Sequence, residues 1–125
     1  MTATILVIDR HEVVRQALCQ WLEVEFPSIC VLQARNHQEI MACINGNAPN
    51  LVIIDILLPG TNGIVATEQV KTILPLVPIL ILTMYEDEAH RMQVLKAGAS
   101  IFIPQREMFK KLIPSIRAHL ALVKA

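Results

Sequence analysis

Three polar side chains stand at the ends of apolar runs in this sequence, and together they could carry chemistry. Asp9 and Asp55 each end a run rich in Ile, Leu and Val, and Thr83 ends a third such run. Two neighbouring carboxylates attract a hard divalent cation, and a hydroxyl beside them could donate a hydrogen bond to an oxyanion placed at Asp55. The alternative is that the three polar strand ends only reach solvent, with Asp55 capping the turn before Pro59.

The elements that must position these residues can be predicted from apolar spacing. Continuous apolar runs of this length are typical of strands buried on both faces of a parallel sheet, and the segments between them have helical spacing. The last helix is expected to begin near 109–111, with Pro114 in its first turn, where its missing N–H has no partner to lose. The other predicted elements are strands at 5–8, 29–34, 51–56, 79–83 and 101–103, and helices at 11–25, 36–46, 64–74 and 86–97. The polar side of the first of these helices contains Glu12, Arg15, Gln16, Gln20 and Glu23. Asn36 and Glu39 resemble a capping pair at the start of the second.

This regular alternation predicts one α/β domain over residues 1–125, with five parallel strands covered by helices on both faces. Right-handed crossovers and the size of the chain favour a flavodoxin-like, doubly wound sheet of order 2-1-3-4-5. In that order the first and third strands are neighbours. Asp9 and Asp55 should therefore face one crevice at the carboxyl edge of the sheet.

Composition excludes several classes of function. Eleven acidic and eleven basic residues balance, so net charge predicts no broad nucleic-acid or membrane surface. No apolar stretch approaches the roughly 20 residues that a bilayer requires, and the N-terminus has no signal-peptide pattern.

Cys19, Cys30 and Cys43 are widely spaced and lack a CxxC motif. We interpret them as reduced thiols of a cytoplasmic protein.

Over essentially its whole length the sequence resembles the receiver domain of two-component response regulators. The most specific part is Asp55, Pro59 and Gly63 at their Asp-x-x-x-Pro-x-x-x-Gly spacing behind a buried strand. The local sequence at the matching segments is most similar to the subfamily that has a LuxR-type helix-turn-helix domain after the receiver. No such DNA-binding domain is expected within these residues. The matching segments are Ile5–Asp9 with His11, Asp55–Gly63, Leu82-Thr83-Met84 and Lys96-Ala97-Gly98-Ala99.

The resemblance implies a signalling phosphoacceptor, not an enzyme in the usual sense. A partner's phosphohistidine would donate a phosphoryl group to Asp55. Mg²⁺ would be held by Asp55, by an acidic pair that begins with Asp9, and by the backbone carbonyl of Leu57. Thr83 and a lysine after the fifth strand would bind phosphoryl oxygens, and Phe102 matches the aromatic residue that turns inward with Thr83.

The partners that the resemblance implies are a sensor histidine kinase or a phosphotransfer protein. A second copy would dock through the face formed by the fourth helix, the fifth strand and the fifth helix. DNA would be reached only through a domain outside this sequence, and no membrane partner is expected.

Two positions depart from the family pattern. The second acid of the pair is Arg10, and the lysine position is Gln105. The adjacent Arg106 is not expected to replace the lysine, because side chains at successive strand-end positions point opposite ways. At about 6 Å and an effective dielectric of about 20, one Arg⁺ repels a divalent ion by about 5 kcal/mol, which solvent screening lowers to about 2 kcal/mol. We expect Mg²⁺ affinity to fall at least about tenfold. Either Arg10 pairs with Asp55 in place of the cation, or it points to solvent and leaves a weak magnesium site.

Three functions are therefore compared. The first is an atypical receiver with weak or absent phosphorylation at Asp55, which acts by protein–protein contact on an output such as transcription. The second is a fully active, Mg²⁺-dependent phosphoacceptor that tolerates Arg10. The third is an FMN- or nucleotide-binding flavodoxin-like protein, but Arg10-His11-Glu12 stands where a phosphate-binding loop would follow the first strand.

Overall fold

The structure is a computed structural model that describes residues 3–46, 48–56 and 63–124. Within these ranges, strands and α-helices alternate as predicted, and a short 3₁₀ turn, Gln105–Glu107, precedes the last helix. The strands are β1 (Thr4–Ile8), β2 (Cys30–Ala34), β3 (Leu51–Ile56), β4 (Ile79–Thr83) and β5 (Ile101–Pro104). The helices are α1 (Glu12–Glu25), α2 (His37–Gly46), α3 (Gly63–Ile73), α4 (Glu88–Ala97) and α5 (Met108–Lys124).

The strands form one parallel sheet of order β2-β1-β3-β4-β5, which confirms the predicted topology. β1 and β3 pair in a register that places Ile8 beside Ile54. The residues that follow them, Asp9 and Asp55, therefore come level at the carboxyl edge. β3 pairs with β4 so that Asp55 lies beside Leu82, one position before Thr83.

Two apolar layers cover the sheet, one on each face. Alternation along β3 sends Leu51 and Ile53 to one layer and Val52 and Ile54 to the other. The first layer packs against α1 and α5, and the second packs against α2, α3 and α4. Every residue of β3 and β4 is buried, which explains why both strands read as continuous apolar runs rather than as alternating ones.

Side-chain caps set two helix starts. At α2 the predicted capping pair is confirmed, because the N–H of Glu39 donates to Asn36 Oδ1 at 2.9 Å. At α4 the predicted start at Glu86 is wrong by two residues. Asp87 is the N-cap: its backbone is extended and its carboxylate accepts the N–H of His90 at 2.9 Å, so the helix begins at Glu88.

The expectation for Pro114 is also wrong. α5 begins at Met108, directly after the 3₁₀ turn, and Pro114 therefore lies inside the helix and not in its first turn. Pro114 is exposed, as is Lys110, whose carbonyl would have received the missing N–H. Water can hydrate that carbonyl. The apolar face of α5, with Leu112 and Ile116 fully buried, stays in place.

The three cysteines are free thiols, but only Cys19 is buried, whereas Cys43 is half-buried and Cys30 is exposed. Cys19 is buried in the layer under α1, and burial, with a smaller effect of the Glu23 carboxylate, raises the pKa of its thiol to about 11. A thiol with such a pKa stays protonated and unreactive at neutral pH.

Among the described residues, no helix combines the length and the apolarity needed to cross a membrane.

The first residue of α3 packs against the end of β3 without space for another carbon. A Cβ at Gly63 would overlap Ile56 Cγ2, whereas a Cβ at Gly46, at the end of α2, would meet nothing within 4 Å. We expect Gly63→Ala to lower the free energy of unfolding by about 1–3 kcal/mol, because Ile56 must shift in a filled core. The matched control Gly46→Ala should leave stability unchanged or raise it by up to about 1 kcal/mol. Urea unfolding followed by circular dichroism measures both, and equal stabilities would contradict the packing argument.

Candidate functional site

Two buried carboxylates lie side by side where β1 and β3 end. Asp9 and Asp55 are each 3% exposed, and both line a pocket of about 200 Å³ at the carboxyl edge of the sheet. The structure thus brings together the two acids that the sequence predicts. The described residues that line this pocket are Ile8, Asp9, Arg10, Arg35, Asn36, His37, Ile40, Ile54, Asp55, Val65, Ala66 and Gln69.

The Asp9 carboxylate is satisfied on one oxygen only. Oδ1 accepts the backbone N–H of His11 at 2.9 Å and lies 3.4 Å from its ring nitrogen Nδ1. Oδ2 is buried and has no hydrogen-bond partner among the described residues. A buried polar atom without a partner requires a physical explanation, and a bound cation would supply one. The donor set therefore fits a divalent ion held by Asp9 and Asp55, two hard oxygen ligands.

Arg15 holds the loop that carries Asp9, and the sequence prediction for this residue is wrong. We expected Arg15 on the polar side of α1, but it is only 5% exposed. Its Nη1 donates to the Asp9 carbonyl at 2.9 Å, and its Nε donates to Gln33 Oε1 at 2.9 Å. The spacing contained the signal: Arg15 precedes the buried Leu18, Cys19 and Leu22 by three, four and seven residues.

Arg10 lies at the rim of the pocket with an exposed side chain. Within the described part of the chain it forms no ion pair, so the expected pair between Arg10 and Asp55 is not observed. The structure instead matches the second alternative, in which Arg10 points to solvent. A second guanidinium at the rim, that of Arg35, is paired with Glu39 at 2.9 Å. The Arg10 charge therefore lies at the pocket entrance and does not occupy its interior.

Thr83 is fully buried but does not line this pocket among the described residues. Alternation along β4 places it with Ile79 and Ile81 on the side of the sheet that α4 covers. Its hydroxyl oxygen accepts the N–H of Tyr85 at 3.0 Å and lies 3.3 Å from His90 Nε2. From sequence, His90 is expected only at an exposed or helix-start position, and its contact with Thr83 is not predicted. A histidine seven residues after the strand-end hydroxyl was the available signal.

The remaining predicted site residues lie at or near the end of β5. Phe102 is half-buried, and its ring centroid lies 6.0 Å from that of His90. Gln105 is exposed at the start of the 3₁₀ turn. Arg106, which we expected to point away from the lysine position, forms an ion pair with Glu86. Leu57, predicted to offer its carbonyl to the metal, lies outside the described residues.

Asp55 also borders an apolar groove of about 420 Å³ between α1 and the start of α5. Trp21 and Phe109 pack against each other across it, with ring centroids 5.4 Å apart. Val13 and Phe109 are each 81% exposed. The carboxyl edge of the sheet thus lies between a polar pocket and an apolar surface. The described residues that line the groove are Val13, Val14, Ala17, Leu18, Trp21, Asp55, Met108 and Phe109.

Comparison with known proteins agrees with this geometry. The profile of the response regulator receiver domain matches residues 5–117. The response regulator protein VraR of Staphylococcus aureus is 27% identical over 117 residues, which cover 94% of this chain and 56% of VraR. The chain therefore spans little more than half the length of the curated relatives that it matches.

Solved structures show the same fold. A LuxR-family two-component response regulator from Aurantimonas sp. SI85-9A1 has a TM-score of 0.82 and 30% identity, with 97% of this chain and 86% of that chain covered. A response regulator from Thermotoga maritima has a TM-score of 0.80 and 21% identity, with coverages of 97% and 99%. The second likeness is evidence for the fold alone. The first agrees with the LuxR-type resemblance seen in the sequence.

The buried Arg15 offers a test of how the site is built. We expect Arg15→Ala to lower the free energy of unfolding by about 2 kcal/mol, because it removes two hydrogen bonds from a buried cation and leaves the Asp9 carbonyl and Gln33 without their donor. The control Gln16→Ala changes an exposed neighbour whose only bond here is to Glu12 at 3.3 Å, and should cost less than about 0.5 kcal/mol. Urea unfolding measures both. A similar cost for the two variants would show that Arg15 does not hold the loop.

Proposed function

Since the chain belongs to the response regulator receiver domain family, we propose that Asp55 is its phosphoacceptor and that phosphorylation there is weak or absent. In this proposal the domain acts mainly through protein–protein contact and controls an output such as transcription. The observation that carries the proposal is Arg10, a fixed positive charge at the entrance of the pocket that contains Asp9 and Asp55.

The charge of Arg10 acts against the cation that phosphorylation requires. Bound Mg²⁺ would neutralise the negative charge on the transferred phosphoryl group. Asp9 and Asp55 would hold it, with the orphaned Oδ2 of Asp9 as one ligand. The position of a third acid is taken by a guanidinium, which supplies repulsion where a ligand would supply attraction. Because Arg10 is exposed, solvent screens this repulsion. We therefore propose a weakened magnesium site and not an abolished one.

The phosphoryl oxygens would also lack a cation at the end of β5. Gln105 can donate amide hydrogen bonds but brings no charge, and its side chain is exposed. The neighbouring cation, Arg106, is paired with Glu86. Asp55 would thus carry a phosphoryl group with little positive charge from the protein itself. This is a second reason why the phosphorylated state would form slowly or be short-lived.

The partner that we propose is a sensor histidine kinase or a phosphotransfer protein. The apolar groove between α1 and α5 is the surface from which such a partner would reach Asp55, because Asp55 borders it and Val13 and Phe109 are exposed there. A second copy of the chain would dock on the face of α4, β5 and α5, and DNA would be reached through a domain outside these residues. We place this function in the cytoplasm.

One observation favours the second candidate, a fully active Mg²⁺-dependent phosphoacceptor. Arg10 makes no ion pair within the described ranges and does not fill the pocket, so a cation could still enter at a lower affinity. Family membership, beyond the shared fold, separates the chain from the flavin- or nucleotide-binding alternative. The two receiver hypotheses differ only in the strength of the magnesium site, and experiments can measure that strength.

Phosphorylation by a small-molecule donor tests the proposal. With acetyl phosphate and millimolar Mg²⁺, we expect little or slow phosphoryl incorporation, because both the cation and the phosphoryl oxygens meet an incomplete site. Intact-mass spectrometry and Phos-tag gels would measure it, with Asp55→Asn as the control that removes the acceptor. Rapid, stoichiometric incorporation that is lost in Asp55→Asn would establish the fully active alternative instead.

Changing Arg10 separates its charge from the missing ligand. Arg10→Gln removes the repulsion and should raise Mg²⁺ affinity, whereas Arg10→Asp also adds a carboxylate and should raise it further, at least about tenfold over the unmodified chain. Adding Gln105→Lys should raise phosphorylation rather than metal affinity. Isothermal titration calorimetry measures binding, and Arg35→Gln is the control for a rim charge that is already paired. Equal affinities for the Arg10 variants and the unmodified chain would refute the role of Arg10.

A further inference from the structure

The Thr83 hydroxyl has one proton to donate, and the structure limits where that proton can go. Thr83 is fully buried, and its oxygen accepts the N–H of Tyr85 at 3.0 Å. Among the described residues, the only other partner of this hydroxyl is His90 Nε2, at 3.3 Å. A buried hydroxyl proton without an acceptor is unfavourable. An imidazole that carries its proton on Nδ1 would accept the hydroxyl proton at Nε2.

The His90 ring is held in this position from several sides. Its centroid lies 4.9 Å from that of Tyr85 and 6.0 Å from that of Phe102, in tilted arrangements that aromatic rings favour. Its backbone N–H is fixed by the Asp87 carboxylate at the start of α4. His90 thus connects the hydroxyl after β4 with the aromatic ring of β5.

We propose that His90 is a positioning residue that competes with a phosphoryl group on Asp55 for the proton of Thr83. The proposal rests on the proposed function, since Thr83 would serve an acceptor at Asp55. While His90 Nε2 takes the proton, the hydroxyl is kept on the α4 side of the sheet. Release of that bond frees the proton for a phosphoryl oxygen and at the same time frees the His90 ring beside Phe102.

Protonation of the imidazole would reverse the direction of this bond. A protonated Nε2–H donates, so Thr83 becomes an acceptor and its own proton is free. The charged or titratable groups around His90 are Tyr85 and Asp87 on its own side, and the Glu86–Arg106 pair that joins the loop before α4 to the turn after β5. β5, which contributes Phe102, has no titratable side chain.

Nuclear magnetic resonance of the full chain tests the hydrogen bond without any phosphorylation. Proton–nitrogen correlation spectra at about pH 8 should show the His90 ring protonated on Nδ1, and the Thr83 methyl and Tyr85 resonances should shift together when the pH is lowered. Tyr85 is the single tyrosine, so its ring signals need no assignment. A neutral His90 protonated on Nε2, or a Thr83 methyl signal that does not follow Tyr85, would overturn the proposal.

Two substitutions separate the hydrogen bond from the ring packing. His90→Phe keeps an aromatic ring between Tyr85 and Phe102 but removes the nitrogen, and His90→Gln restores a side-chain acceptor without the ring. In His90→Phe the shared shift of Thr83 and Tyr85 should disappear, while the control His119→Phe, far along α5, should retain it. Retention of the shift in His90→Phe would show that His90 does not hold Thr83.

Acetyl phosphate labelling gives the functional result. At about pH 8, His90→Phe should label about threefold to tenfold faster than the unmodified chain, the effect of one released hydrogen bond, and His90→Gln should return toward the original rate. Equal rates for His90→Phe and the unmodified chain would overturn the competition. If His90→Phe is not labelled at any pH, the competition is overturned, whereas the resonance experiment still decides the hydrogen bond separately from the role of Asp55.

Discussion

The pairing of β1 with β3 buries two like charges side by side, and much of the site follows from that arrangement. Asp9 and Asp55 come level because Ile8 lies beside Ile54 in the register. Two neighbouring carboxylates withdrawn from water repel each other and require compensation. The chain supplies part of it near Asp9, through the backbone N–H of His11, while Arg15 fixes the loop from beneath. In the proposed function, a bound cation would supply further compensation at this edge.

The fold could be predicted from the sequence because its signals are local and agree with one another. The buried runs that became β3 and β4 have their predicted bounds, and strand–helix alternation leaves few sheet orders open. The errors concern the start of α4 and the position of Pro114 in α5. Asp87 caps α4 although the prediction placed it inside that helix, and Pro114 is tolerated inside α5 because its side faces solvent.

The site was harder to predict because contacts between elements do not appear in spacing. The strand order that the sequence predicts is sufficient to place Asp9 beside Asp55. It did not reveal that Thr83 faces α4, since a side chain at a strand end can be assigned to either face until the helix above it is placed. Arg15 was assigned to solvent from its charge, although its spacing from Leu18 and Leu22 puts it on the inner face of α1.

The ion pair between Glu86 and Arg106 connects two segments that the sheet does not hold together. One precedes α4 and the other follows β5, and both partners are substantially exposed. The attraction between exposed charges weakens as mobile ions accumulate around them. A high salt concentration would therefore weaken the contact between the loop before α4 and the turn after β5 while the sheet stays intact. The surface built from α4 and the end of β5 would then respond to ionic strength while the buried carboxylates remain unchanged.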